Sequence, residues 1–208
     1  MRYFILLFCL LVSACATTEL NGIMDPSYRG RFEAKKILVY SENLPIGRAQ
    51  TAERALVEAL GPYQVQIISG LYTFPPIRKY TLAEIAKSSK KAGIDAILIL
   101  KLDKEWLKED YIPPIYVPGD SYSTAYEIGN TINIHTRTNP GYTLGGNTLY
   151  KPNMAVSVSL KIPAPLKTIW IADIASAGSG VASFDDLWDD VAKKITLALA
   201  GEGIIKQS

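Results

Sequence analysis

Histidine and cysteine are scarce in this chain. His135 is the only histidine in 208 residues, and Cys9 and Cys15 are the only cysteines. Nucleophilic triads need an imidazole held beside a serine or thiol. His135 lies in an alternating polar stretch and reads as a surface residue, and Ser179 in "SAGSG" lacks the G-x-S-x-G elbow. Gly141, Gly145 and Gly146 surround "YTLGG" without the Gly-Lys-Ser/Thr ending that cradles phosphate. Asp185, Asp186, Asp189 and Asp190 lack the alternate-residue spacing of a calcium loop. Neither sign of charge prevails: 22 Lys and Arg face 20 Asp and Glu, which gives no field for nucleic acid. No apolar run reaches the roughly 20 residues that a spanning helix needs. These absences predict a protein that is not an enzyme, with no metal, no cofactor and no nucleic-acid partner.

The amino end is rich in what the rest lacks. Arg2 precedes "YFILLFCLLV", Tyr3 to Val12, an apolar core of the length of a signal peptide, about ten residues. It ends in Val12-Ser13-Ala14-Cys15, which resembles the bacterial lipobox: an apolar residue, two small residues, then cysteine. That resemblance implies a signal peptide over 1–14, a lipid on the Cys15 thiol, and acyl chains (palmitate among them) on the mature amino end. Several chains together anchor a protein to a bilayer, because each buried CH₂ contributes about 0.8 kcal/mol. The residue after Cys15 is Ala16 rather than aspartate, which by the same resemblance implies the outer membrane, facing the periplasm. Cleavage would remove Cys9, so no disulfide can form within one mature chain and a hydrophobic core must carry the fold.

Residues 16–34 lack periodicity and hold turn formers, so 15–34 reads as a lipidated tether and 35–208 as the folded domain. The domain opens with "KKILVYSENL", a strand. "RAQTAERALVEALG" is a helix by the spacing of Ala52, Ala55, Leu56, Ala59 and Leu60, and Gly61 marks its stop. "YQVQIISG" is a second strand. Thr81 to Glu84 form a capping box, opening a helix with Leu82, Ile85, Ala86 and Ser89 on its buried stripe and Gly93 at its end. "IDAILILKLD" is the third strand. This β-α-β-α-β order favours parallel pairing with right-handed crossovers. "MAVSVSLKIP" and "KTIWIADIASAG" follow as an antiparallel hairpin. Ser183 caps a final helix whose Phe184, Leu187, Trp188, Val191, Ile195 and Leu199 line one face. The fold class is α/β with a single mixed sheet. Trp170 and Trp188 fit its core, and Trp106 its surface.

Residues 104–153 interrupt this pattern with a Tyr/Pro/Gly-rich insertion, too long for an inert loop. Ile132 and Ile134 alternate with Asn133 and His135 and mark a strand there. Tyr111, Tyr116, Tyr122 and Tyr126 stand among prolines and form the candidate partner-binding surface: tyrosine offers contact area at low entropic cost.

Three stretches carry a further resemblance: "KKILVYSENL…ERALVEAL", "LAEIAKSSKKAGIDAILILKL" with its Ala92-Gly93-Ile94-Asp95 entry, and "VSLKIPAPLKTIWIADI…VAKKITLAL" with Trp170 and Ala172. They resemble an α/β module of bacterial envelope families: the Tol-propeller amino-terminal domain, the curli-secretion channel lipoprotein and penicillin-binding-protein activator lipoproteins. The resemblance covers roughly 36–103 and 154–205, rests on packing motifs, and departs from the pattern at "IPAPLK". It implies a cell-envelope lipoprotein that binds or scaffolds an envelope protein, with homo-oligomers compatible. The alternative is a subunit of an oligomeric outer-membrane secretion channel, with "NTINIHTRT" and "NTLYKPNMAVSVSL" as membrane strands.

Overall fold

A computed structural model describes residues 16–207. The expected leader and Cys15 lie outside the described residues. The chain divides into two units: one takes the described residues up to 108 and from 151, the other is Glu109–Tyr150.

The first unit is built on a six-stranded mixed sheet, as the element pattern predicts. Its strands are β1 (Ala16–Met24), β2 (Lys36–Glu42), β3 (Gln66–Ser69), β4 (Ala96–Ile112), β9 (Asn147–Pro163) and β10 (Leu166–Gly178), in the order β1-β10-β9-β4-β2-β3. β2 pairs in parallel with β3 and with β4. β10 runs antiparallel to β9 and to β1. The Asp95 carboxylate fastens the start of β2, accepting from the amides of Lys35 and Lys36 at 2.9 Å each.

Alternation along the strands divides the core. Ile37, Val39, Leu98 and Leu100 face one side, with Val156, Val158, Leu160, Ala172 and Ile174 of the hairpin. Two helices close that side: α1 (Ile46–Leu60), through Ala52, Ala55, Leu56 and Leu60, and α4 (Phe184–Gly201), through Leu187, Trp188, Val191, Ile195 and Leu199. Leu38, Ile97 and Ile99 face the other side, under Phe74 and the Ile85 and Ala86 of α3 (Leu82–Lys91). Among the described residues, this second cluster takes nothing from β1, β9 or β10.

Both expected caps are present. The Thr81 hydroxyl accepts from the Glu84 amide and the Glu84 carboxylate from the Thr81 amide, and Ser183 and Asp186 repeat the exchange. Gly93 follows α3 with φ +66°, a conformation that a side chain would strain. Trp170 and Trp188 are buried, and Trp106 is exposed. The second strand is shorter than "YQVQIISG", and the chain after it winds into α2 (Gly70–Thr73).

The larger difference is at the amino end. Residues 16–24, expected within the tether, form an edge strand in continuous register from Ala16↔Gly178 to Met24↔Trp170. Thr18, Leu20, Gly22 and Met24 take the core-facing alternation, but two of the four are not apolar, which hides the period. The Thr18 hydroxyl is satisfied by that of Ser176 at 2.7 Å. Tyr28 and Phe32, in the turns that follow, pack against the core.

The second unit contains two antiparallel pairs. β5 (Ile115–Val117) pairs with β8 (Tyr142–Leu144). β6 (Ser121–Ile128) and β7 (Thr131–Thr138) form a hairpin that contains the strand expected at Ile132 and Ile134. Its two-residue turn places Gly129 at φ +64°, which suits the twist of the paired strands. Since β4 extends to Ile112 and β9 starts at Asn147, the insertion is more regular than its composition predicts.

Candidate functional site

Ligand crevices of open α/β sheets lie outside the carboxyl ends of parallel strands. At that place β2 ends in Ser41 and Glu42, Asn43 turns the chain with φ 57°, and α1 returns across it. Glu53 of α1 is 4% exposed. Its Oε2 accepts from the Ser69 hydroxyl at 2.5 Å and the Leu71 amide at 3.2 Å, so β3 and α2 are fastened to α1 through one carboxylate. Among the described residues, Glu53 Oε1 and Ser41 Oγ are buried with no partner in good hydrogen-bond geometry, although Ser41 and the Gly70 amide lie close enough to favour the ionised carboxylate. Burial raises the Glu53 pKa, and the donors around it, Ser69, Leu71, Ser41 and the Gly70 amide, offset only part of that. Gly70 makes the close packing possible. A Cβ there would collide with the Val39 carbonyl oxygen and stand 3.0 Å from Tyr40 Cα.

Two cavities meet at Glu53. One, of about 420 Å³, is lined by Tyr40, Phe74 and Tyr80 and by the ends of β2. Phe74 packs edge-on against Tyr80 at 5.3 Å and Tyr40 at 6.4 Å. The Arg78 guanidinium lies 4.0 Å from the Tyr80 ring centre and 3.1 Å from the Glu84 carboxylate. The other cavity, of about 680 Å³, runs along α1 between Ile46, Val57, Tyr72 and Ile77. Tyr72 and Ile77 are 92% and 87% exposed. Chemically this region offers one buried carboxylate, Glu53, with Glu42, Glu58, Arg54 and Lys79 also on the walls beside the apolar and aromatic side chains. Among the described residues, no three His, Cys, Asp or Glu side chains are grouped to hold a metal ion.

A third cavity, of about 720 Å³, lies on the face of β1, β10, β9 and β4 turned away from α1 and α4. A polar line crosses it from β10 to β4. The Ser157 hydroxyl donates to Asp103, Asp173 Oδ1 is 3.4 Å from the same oxygen, and Lys101 Nζ is 3.1 Å from Asp103. Burial works against ionised Asp103, yet the Ser157 and Lys101 donors prevail and hold its pKa below the usual carboxylate range. Ile23 and Ile171 flank the line and are exposed.

The tyrosines singled out in the sequence are all exposed, in or beside the second unit. Residues directly opposite in paired strands share a face. Tyr122 and Tyr126 therefore share one face of the β6–β7 hairpin with Ile128, Asn133, His135 and Arg137. The opposite face carries Ser121, Ser123, Ala125, Glu127, Ile132, Ile134, Thr136 and Thr138. The apolar stripe of β6 and that of β7 thus lie on opposite faces. Tyr116 belongs to the separate β5–β8 pair, with its hydroxyl over Gly141, and Tyr111 to β4. Cys15 lies outside the described residues.

Of the strands expected in the membrane alternative, "NTINIHTRT" lies in β7, whose exposed Ile132 and Ile134 share a face with Thr136 and Thr138. Met154, Val156, Val158 and Leu160 of "NTLYKPNMAVSVSL" are buried in the sheet core.

Sequence reasoning missed Glu53 and the Asp103–Ser157–Asp173 line. Glu53 had a legible signal, since it interrupts the stripe Ala49, Ala52, Leu56, Leu60 at helical spacing. A charge on the apolar face of a helix calls for partners in the core. The second group had none, because its members come from three strands distant in sequence.

No protein-family model matches the chain, and no curated protein does. Among solved structures it is similar to a PelC dodecamer from Paraburkholderia phytofirmans, with 10% identity and a TM-score of 0.48, covering 89% of this chain and 97% of that one. A single-substitution PelC dodecamer from the same organism gives 10% identity and 0.46, at the same coverage. A PDZ domain protein from Parabacteroides distasonis gives 9% identity and 0.32, covering 91% of this chain and 37% of that one. Likeness at this level does not assign a function.

Proposed function

We propose that the chain is a cell-envelope lipoprotein, held at the outer membrane by acylated Cys15 and facing the periplasm, which binds or scaffolds another envelope protein and performs no catalysis. The lipobox-like Val12-Ser13-Ala14-Cys15 supports the anchor. The exposed strands of Glu109–Tyr150 carry the binding reading. Tyr116, Tyr122, Tyr126, Ile128, Ile132 and Ile134 are all exposed there. A lone two-stranded hairpin is marginal in water, so these side chains gain from a partner that excludes solvent. Tyrosines beside Arg137 and His135 suit a mixed apolar and polar protein surface.

The experiment has two arms in intact cells. Metabolic labelling with a palmitate analogue tests the anchor, with loss of label expected on Cys15→Ser. A photo-crosslinker at Tyr116 or Tyr126 tests the partner. Specific heterologous adducts that vanish on deletion of residues 110–150 are expected. Absence of any adduct from either position overturns the binding reading.

A further inference from the structure

We propose that the face of β1, β10, β9 and β4 turned away from α1 and α4 docks a basic amphipathic helix of another protein, with Asp173 receiving an arginine or lysine and the Ile23–Ile171 pair an aliphatic side chain. This surface lies wholly in the first unit, and the inference does not rest on the tyrosines of the second.

Register sets out what the face presents. Residues directly opposite in paired strands form rungs, and successive rungs on one face stand about 7 Å apart. The first rung is Ile23, Ile171 and Ser159, the second Asn21, Asp173 and Ser157, the third Glu19, Ala175 and Ala155. Ile23 and Ile171 are 71% and 50% exposed, an apolar pair side by side. The solvated face of an antiparallel sheet is ordinarily polar. Here β10 and β9 offer one charge, Asp173, over the three rungs, and the alanines leave room for a close approach.

Charge decides the kind of partner. A serine hydroxyl has one proton to donate. Ser157 gives its own to Asp103, which also holds Lys101 at 3.1 Å. Asp173 Oδ1 is left with a 3.4 Å approach to the same hydroxyl oxygen. Among the described residues, Asp173, Glu19 and Glu42 form no ion pair. Glu42 and Asp173 both line the cavity, whose lysine is engaged by Asp103, so the surplus there is negative and borders an exposed apolar pair. A cation carried on an apolar scaffold complements both.

The sheet itself points to a helix. Ile99 stands both in the cluster under α3 and in the wall of the cavity, so the two halves of this face are continuous. A helix laid beside α3 extends a layer already begun. Residues four apart on a helix share a face and are separated by about 6 Å along its axis, close to the step from the isoleucine rung to Asp173. An aliphatic residue and an arginine or lysine at that spacing meet both at once.

The test uses the chain from residue 15 onward with Cys15→Ser, which carries no lipid. Two synthetic helices of about 18 residues, ~27 Å long, present leucine and arginine four apart along one face, or leucine and glutamate at the same places. Isotope-labelled protein is titrated with each. The arginine helix is expected to shift the methyl signals of Ile23 and Ile171 and the amide signal of Asp173, and to bind about tenfold more tightly than the glutamate helix. Asp173 is exposed, so Asp173→Arg keeps the fold, checked by circular dichroism, and is expected to reverse the preference. Equal affinity for the two helices, shifts confined to other surfaces, or binding of neither overturns the proposal. So does self-association in sedimentation that Ile171→Asp abolishes, since the occupant is then a second copy of the chain.

Discussion

Gly22 of β1 lies under the indole of Trp170 on β10: a Cβ at Gly22 would stand 3.1 Å from Cζ2 and 3.2 Å from Nε1 of that ring. Trp170 is among the largest fully buried side chains, and the space above Gly22 is what its ring fills. A branched side chain at 22 has to displace the indole or lift β1 from β10. Gly22→Ile is expected to cost about 1–3 kcal/mol, the range for overpacking a filled core. Denaturant unfolding monitored by tryptophan fluorescence measures it. Wild-type stability in this variant would show that the ring moves aside freely.

Glu53 has two separable roles, as acceptor and as buried charge. Its pKa is raised in the folded protein, so the folded state holds its proton more tightly than the unfolded state. The penalty for ionising it is absent below the unfolded pKa and grows as pH rises through the folded one. Glu53→Gln keeps an oxygen for Ser69 and Leu71, and is expected to remove this decline of stability with rising pH. Glu53→Leu leaves those two donors unpaired and is expected to cost about 1–3 kcal/mol at neutral pH. Chemical denaturation of the three proteins from pH 4 to 8 checks both. Parallel pH curves for wild type and Glu53→Gln would refute the assignment of the charge.

Ser183 holds the start of α4 and the end of the 178–183 turn. Ser183→Ala removes the acceptor for the Asp186 amide. A loss of about 1 kcal/mol is expected, or roughly 2–4 °C in Tm for a chain of this size. Asp186 is held below the usual carboxylate range by the Ser183 amide and hydroxyl. Its titration, followed by NMR, is expected to move up toward the ordinary value in the variant.

Where local rules agree with packing, the sequence was readable. Thr81–Glu84 marked its helix start, and Ser183 and the stripe from Leu187 to Leu199 marked the last helix. The alternation of Val156, Val158 and Leu160 identified the hairpin with β10. β1 escaped notice because Thr18 and Gly22 occupy core-facing slots, for reasons found across the sheet in Ser176 and Trp170. Those partners are more than 140 residues away, so no window along the chain displays the match. Glu53 was visible as a charge out of place on its helix, whereas its donors, Ser69 and Leu71, follow a strand too short to stand out. The exposed tyrosines were legible as residues, but not the division of the β6–β7 hairpin into two unlike faces, which depends on register.

The pairing of β1 with β10 also has a mechanical meaning. A force arriving through an anchored Cys15 acts along β1 itself, and the nine residue pairs from Ala16↔Gly178 to Met24↔Trp170 bear it side by side. Rungs loaded in shear yield together, unlike the sequential opening of a zipper. The edge strand with the least apolar sequence is thereby the one through which the body would withstand traction.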